Sequence, residues 1–250
     1  MRGLTAQELL EICDQGQGLS PCGRAMLLLA SACPEYPRQQ MNSLSIGERD
    51  ALLAQVRART FGWDIASVAT CPVCRETVEL RMDVRSMFPA MTQEKTSRAQ
   101  PQPPLTIEAG EFLVHAALPT VDDVEALMVA ASATDGPRML LRRCIRRLEY
   151  RGMPCAVDEL PEEICALIDS RMAEADPQGD VQLAIQCPGC EHRWSVLFDM
   201  VSFFWDEIQS TARRLLREVH VLASAYGWTE SEILTLSVTR RRIYLEMVGG

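Results

Sequence analysis

Two short motifs constrain this chain more than anything else in it: Cys71-Pro72-Val73-Cys74 and, 116 positions later (71 to 187), Cys187-Pro188-Gly189-Cys190. Four thiolates complete a closed tetrahedral zinc shell. The repeat extends past the cysteines. Laid on one another, the copies set Val78, Leu80 and Met82 on Trp194, Val196 and Phe198, and Asp83 on Asp199. Apolar residues at every second position mark half-buried strands. Each pair therefore sits at the tip of a β-hairpin, with Ile65–Thr70 leading into the first and Val181–Gln186 into the second. The spacing predicts one structural zinc held by Cys71, Cys74, Cys187 and Cys190 in a zinc-ribbon-like module whose halves, 63–84 and 180–200, are separated by a long insertion.

Other fates for the sulfurs are open to the sequence. Ten cysteines with no secretory leader after Met1-Arg2-Gly3 point to a reducing, cytoplasmic setting and away from disulfides. A thioredoxin-like redox pair needs a helix N-terminus, whereas strand-like sequence follows both pairs. Many metal knuckles carry glycine after the second cysteine, where the backbone turns left-handed. Arg75 and Glu191 stand there instead, which leaves a site without metal open. His192 is an alternative ligand or a plain loop residue.

Around the ribbon the chain reads as helical. Thr5–Cys13 and Pro21–Ala32 form short helices, and Ser45-Ile46-Gly47-Glu48 is a capping box opening a helix to Phe61 that Gly62 stops. Pro89–Pro104 has linker composition. Glu111–Leu118 is a weak strand, and Thr120 caps a helix to about Ala133. Arg138–Tyr150 reads as a helix with Arg142, Arg143, Arg146 and Arg147 on one side, and Pro161–Ala173 as another with Pro161 in its first turn. Cys144, Cys155 and Cys165, lacking paired spacing, read as small core residues.

From Val201 to Tyr226 the apolar positions Val201, Phe204, Ile208, Ala212, Leu215, Val219 and Leu222 advance by three or four, with Asp206, Glu207, Arg213, Arg214, Arg217 and Glu218 facing away. Such a helix extends about 35–40 Å. Trp228 and Tyr244 read as core plugs beneath a final amphipathic turn or two from Arg240. The fold class expected is α+β, mainly α: a small antiparallel zinc-ribbon-like sheet from the two Cys-Pro-x-Cys hairpins, a helical insertion and a long C-terminal helix. The segments are 1–62 (N-terminal helical), 63–84 with 180–200 (the ribbon halves), 85–179 (linker plus helical insertion) and 201–250 (C-terminal helical).

Charge and motifs narrow the function. A net charge of −9 repels polyanions on average, so nucleic acid is disfavoured as a partner. The arginine run Arg142–Arg147 is a solvated face or, as an alternative, the phosphate contact of a zinc-ribbon nucleic-acid binder. No apolar run is long enough to cross a bilayer, so no membrane partner is expected. Four cysteines would close the metal shell against substrate. His115, His192 and His220 stand in no ligand or Ser-His-acid spacing, and Gly16-Gln17-Gly18 lacks the rest of a phosphate loop. A non-enzymatic protein without a small-molecule substrate is expected.

A family resemblance adds to this. Phe204-Trp205-Asp206-Glu207-Ile208, Leu216–Ala223, Tyr226–Leu234 and Arg240–Leu245 are similar to the tail of the T-even phage-type baseplate hub assembly chaperone family, found in tailed phages and in gene clusters for contractile injection systems. Ser45–Leu53, Thr60-Phe61-Gly62, Cys71–Cys74 and Leu118-Pro119-Thr120 resemble its leading segment, so the likeness runs from about Leu44 onward. It implies an assembly factor for the baseplate hub or wedge, with hub or wedge proteins as partners and either release or retention in the finished particle. A permanent baseplate subunit is the neighbouring alternative.

Overall fold

Local capping chemistry sets the boundaries of the N-terminal helices in the computed structural model, which describes residues 1–89, 104–130 and 136–249. In α1 (Ala6–Gln15) the Thr5 hydroxyl accepts the Glu8 N–H while the Glu8 carboxylate accepts the Thr5 N–H. Helix α2 (Pro21–Ala32) starts under a Ser20 cap with Pro21 in its first turn, and the short α3 (Arg38–Asn42) follows. Helix α4 (Ile46–Phe61) has the expected Ser45/Glu48 capping box and ends at Gly62, whose φ of 97° suits glycine.

The first hairpin pairs β1 (Asp64–Thr70) with β2 (Thr77–Asp83). Asp83 then caps α5 (Val84–Met87) by accepting the Arg85 N–H at 2.8 Å. The insertion contributes β3 (Leu105–Ala109), β4 (Phe112–Ala116), α6 (Val121–Ala130), α7 (Gly136–Cys144), β5 (Ile145–Tyr150), β6 (Met153–Pro154), a 3-10 turn (Val157–Glu159) and α8 (Glu162–Ala175). The second hairpin, β7 (Gln182–Gln186) and β8 (Arg193–Leu197), leads through the Asp199 cap into the 27-residue α9 (Met200–Tyr226). Helices α10 (Glu230–Thr235) and α11 (Val238–Gly249) close the chain. The internal repeat thus reaches from the cysteines to the aspartate that starts the following helix.

Among the described residues the result is a mixed α/β fold with three small antiparallel sheets, and several expectations are corrected. The hairpins remain two separate two-stranded sheets and do not merge into one. The insertion is not purely helical: it holds a four-stranded sheet in the order β3-β4-β5-β6. Strand β3, which the sequence reading passed over, pairs Ile107 with Val114 and turns at Gly110, where φ is 62°. The helix expected over Arg138–Tyr150 breaks at Cys144, because the remainder pairs with β4, Leu148 opposite Val114. Tertiary pairing overrides helical spacing there.

That switch also dissolves the arginine face. Arg142 pairs with Asp158 and Arg143 with Asp123 from the helical part, while Arg147 pairs with Glu149 from the strand. Pro161 takes the N-cap position of α8 in place of its first turn. The helix opened by Thr120 is described as far as Ala130, and its expected end at Ala133 lies outside the described residues. Most of the Pro89–Pro104 linker, residues 90–103, lies outside them too. Cys144 and Cys165 are buried and Cys155 half-buried in the insertion core, with Ile168 and Leu141.

The main core joins α1, α2 and α4 to α9 through Leu28, Leu53, Phe204 and Ile208, with Phe61 set edge-on to Phe204 at 6.0 Å. Two acids expected to face away from α9 instead hold buried arginines. Glu207 takes a two-pronged contact from Arg57 at 2.6 and 2.9 Å, and Glu218 pairs with Arg241 at 3.1 Å. Such pairs fix register, since an unpartnered buried guanidinium is costly. Trp228 and Tyr244 are not core plugs: half-buried, they form an aromatic cluster with Tyr226 on the flank of α9. The chain closes on a full 12-residue helix where the sequence suggested a turn or two.

The insertion docks on α4 at a helix N-terminus. The Asp176 carboxylate accepts the Gly47 N–H at 2.8 Å, and a Cβ at Gly47 would stand 1.9 Å from Asp176 Oδ1. Burial pushes the Asp176 carboxyl up, and the Gly47 N–H and Ser45 hydroxyl oppose that rise. No helix among the described residues is long and apolar enough to cross a membrane.

Candidate metal centre

Each Cys-Pro-x-Cys tip is closed by the same backbone bonds. The Cys71 N–H donates to the Glu76 carbonyl at 2.9 Å and the Arg75 N–H to the Cys71 carbonyl at 3.0 Å. In the second tip the Cys187 N–H donates to the His192 carbonyl at 2.9 Å and the Glu191 N–H to the Cys187 carbonyl at 3.0 Å. Closing the loop this tightly forces the residue after the second cysteine into the left-handed region. Arg75 has φ 65° and Glu191 φ 58°, so both adopt the backbone that glycine favours. Arg75→Gly is therefore expected to relieve strain and raise stability by up to about 1 kcal/mol with the metal content unchanged. Thermal unfolding and metal analysis of the variant check this.

The two tips bring their sulfurs together. The Sγ atoms of Cys71, Cys74, Cys187 and Cys190 all lie within 4.8 Å of one another, with Cys71 to Cys190 at 3.6 Å and Cys74 to Cys187 at 3.5 Å. A Zn–S bond of about 2.3 Å implies sulfur separations of about 3.8 Å in a regular tetrahedron. The cluster matches that spacing, and all ten cysteines are free thiols. The first cysteine of each pair is buried and the second exposed. Beneath the sulfurs, Val78, Leu80, Leu183, Ile185 and Trp194 clasp the hairpins in a core of their own. The residues thus fit a structural metal: sulfur donors in a closed shell on a rigid base.

Without an ion the thiols hold their protons unequally. Burial pushes Cys71 up, but the Cys74 and Val73 backbone N–H groups and the Cys74 and Cys190 thiols bring it down to about 7. The Glu76 N–H favours ionised Cys74, yet the neighbouring sulfurs and burial push it up to about 12. Cys190 is also raised: its sulfur is favoured as an anion by the His192 N–H and the Cys74 thiol, and desolvation with the Cys71 and Cys187 sulfurs outweighs both. Ionisation is favoured at Cys71 and opposed at Cys74 and Cys190 by the neighbouring sulfurs. A divalent cation removes that repulsion, so metal binding here must expel protons and weaken as pH falls.

Two neighbours complete the site. His192 is no member of the cluster: its ring stacks on Trp194 at 5.9 Å, and only its backbone serves the hairpin. Glu76, which the sequence reading did not single out, occupies the equivalent position in the first tip and brings its carboxylate to 3.8 Å from the Cys187 sulfur. The repeat was the signal, because Glu76 falls on His192 in the same superposition. Among the described residues the four cysteines are the only group gathered tightly enough to hold a metal ion.

Comparison with known protein families gives a match over most of the chain. The model of a family described as "T4 bacteriophage base plate protein" matches residues 8–205, which takes in both cysteine pairs and the insertion. The match begins well before Leu44 and ends early in α9, so the segments from Leu216 onward that carried part of the resemblance lie outside it. No curated protein and no solved structure matches the chain.

Proposed function

The chain belongs to the T4 bacteriophage base plate protein family, and from that premise we propose that it is a non-enzymatic assembly factor for the baseplate hub of a phage tail or contractile injection system, braced by one structural zinc. The four-sulfur cluster carries the reading. Cys71, Cys74, Cys187 and Cys190 hold the ion, and it acts by fixing the two hairpins, and with them the insertion and α9, at one separation. Four cysteine ligands leave no open position for substrate, which supports a structural role over a catalytic one. Hub or wedge proteins are the partners we assign.

The surface supports protein contact. The C-terminal helices expose Leu216, Val238, Ile243 and Met247, apolar side chains that an assembly partner would cover. The dispersal of Arg142, Arg143 and Arg147 into separate ion pairs, together with the net charge of −9, speaks against the nucleic-acid-binding alternative. Assembly takes place in the cytoplasm on this reading.

Deletion of the gene is expected to abolish intact tails, and a plasmid copy carrying Cys71→Ser and Cys187→Ser to restore few of them. Electron microscopy of the lysate reads both, and undiminished tail numbers after deletion would refute the proposal. Mass spectrometry of purified particles separates helper from subunit. Absence marks a chaperone that departs, and stoichiometric presence marks a permanent baseplate component.

A further inference from the structure

Among the described residues β2 pairs only with β1 and β7 only with β8, yet β2 and β7 form the two walls of one groove of about 630 Å³. Its lining runs through consecutive residues, Glu79–Met82 on one wall and Val181–Ile185 on the other. Successive strand residues point to opposite faces, so a groove that touches every one of them meets the edges of the strands.

The ladder tells which peptide groups point into it. The Cys71 N–H bonds the Glu76 carbonyl at 2.9 Å and the Val84 N–H the Trp63 carbonyl at 3.0 Å. Alternate residues of an antiparallel pair exchange bonds. Val78, Leu80 and Met82 therefore bond to β1, and Glu79 and Arg81 turn their N–H and C=O groups outward. On the other wall the Cys187 N–H bonds the His192 carbonyl at 2.9 Å and the Phe198 N–H the Val181 carbonyl at 2.8 Å. Leu183 and Ile185 then bond to β8, and Gln182 and Ala184 turn outward.

We propose that an extended segment of a partner protein enters this groove as a strand, bonding to Glu79 and Arg81 on one side and to Gln182 and Ala184 on the other. Two unsatisfied main-chain edges facing one slot suit a strand and not a helix, whose own peptide groups are already paired. The side chains specify the segment further. On the inner face it meets Leu80, Met82 and Leu183, so alternate residues are apolar. On the outer face it meets Glu79 and Arg81, neither of which has an ion-pair partner among the described residues. Opposite charges across neighbouring strands stabilise pairing, so the segment carries a basic residue and, two positions along, an acidic one. The cysteine cluster, by holding the hairpins, sets the width of the slot.

The proposal takes only the source of the segment from the baseplate reading. Overlapping peptides tiling the baseplate proteins of the same tail are immobilised and probed with the full-length, zinc-loaded chain. Bound peptides are expected to share the alternating pattern with its basic–acidic pair. Ala184→Pro removes one outward N–H without touching the β7–β8 bonds and is expected to weaken binding by about tenfold. Arg81→Glu is expected to weaken it too, and a peptide whose acidic residue is changed to lysine to restore it. Binding indifferent to both variants, absence of any bound peptide, or a dimer of the chain itself that Ala184→Pro dissociates would overturn the proposal. Tails that assemble normally without the gene would refute the assembly role while leaving the groove standing.

Discussion

Zinc-stripped protein is expected to melt about 8–16 °C below the zinc-bound form. Structural zinc in small peptides contributes about 10–16 kcal/mol of apparent binding free energy at neutral pH, and even ~4 kcal/mol of it moves the midpoint of a chain of this size by that amount. Among the described residues the two Cys-Pro-x-Cys tips are joined by the hairpins' small core, the four-sulfur cluster and the contact of Glu76 with Cys187, so the loss should be concentrated there. Native mass spectrometry should count one zinc per chain, and Cys71→Ser or Cys187→Ser should lower that count and the Tm together. Acid should act in the same sense. The Cys74 thiol, pushed up to about 12 by the neighbouring sulfurs, is already protonated at neutrality and Cys71, brought down to about 7, gains its proton below it, so the metal must displace both and binds more weakly as pH falls. Fully reduced protein purified without any metal and melting at the same temperature would end the zinc reading.

The second large effect concerns α9. Leu215→Asp is expected to cost several kcal/mol, enough to unfold the chain or populate its unfolded state heavily, because net stabilities are about 5–15 kcal/mol. Leu215 is 2% exposed inside the main core, where a new carboxylate would be stripped of water among apolar side chains. The adjacent residue supplies the control. Leu216 is 52% exposed, and Leu216→Asp should change stability by no more than about 0.5 kcal/mol. Denaturant unfolding of the two variants distinguishes them, and equal midpoints would show the buried stripe to be misassigned. If Leu216 belongs to a partner surface, its variant should fold normally and fail in tail assembly.

Much of the metal centre was legible because a strand's period and a cysteine spacing are local properties. Val78, Leu80 and Met82 alternate whatever surrounds them, and the superposition on Trp194, Val196 and Phe198 predicted two like hairpins before any contact was known. The Ser45 cap was equally local, a hydroxyl followed three residues later by glutamate; Thr5, read as the first residue of its helix, proves to be a cap of the same kind with Glu8. What failed were choices between two locally acceptable conformations. Ile145–Tyr150 satisfies a helical stripe and a strand alike, and only the edge of β4 decided for the strand. Glu207 and Glu218 look like solvated acids until Arg57 and Arg241 arrive from residues far along the chain.

The sequence by itself determined the thiol donors, the two hairpins that carry them, the capped helices and the buried stripe of α9, since each depends on side chains within a few residues of one another. Tertiary structure alone decided that the four sulfurs meet within 4.8 Å, that the hairpins stay separate sheets with an open slot between them, and that the arginine run is split among distant acids. Those outcomes depend on which remote surfaces lose water against each other, and that is fixed only when the whole chain has packed.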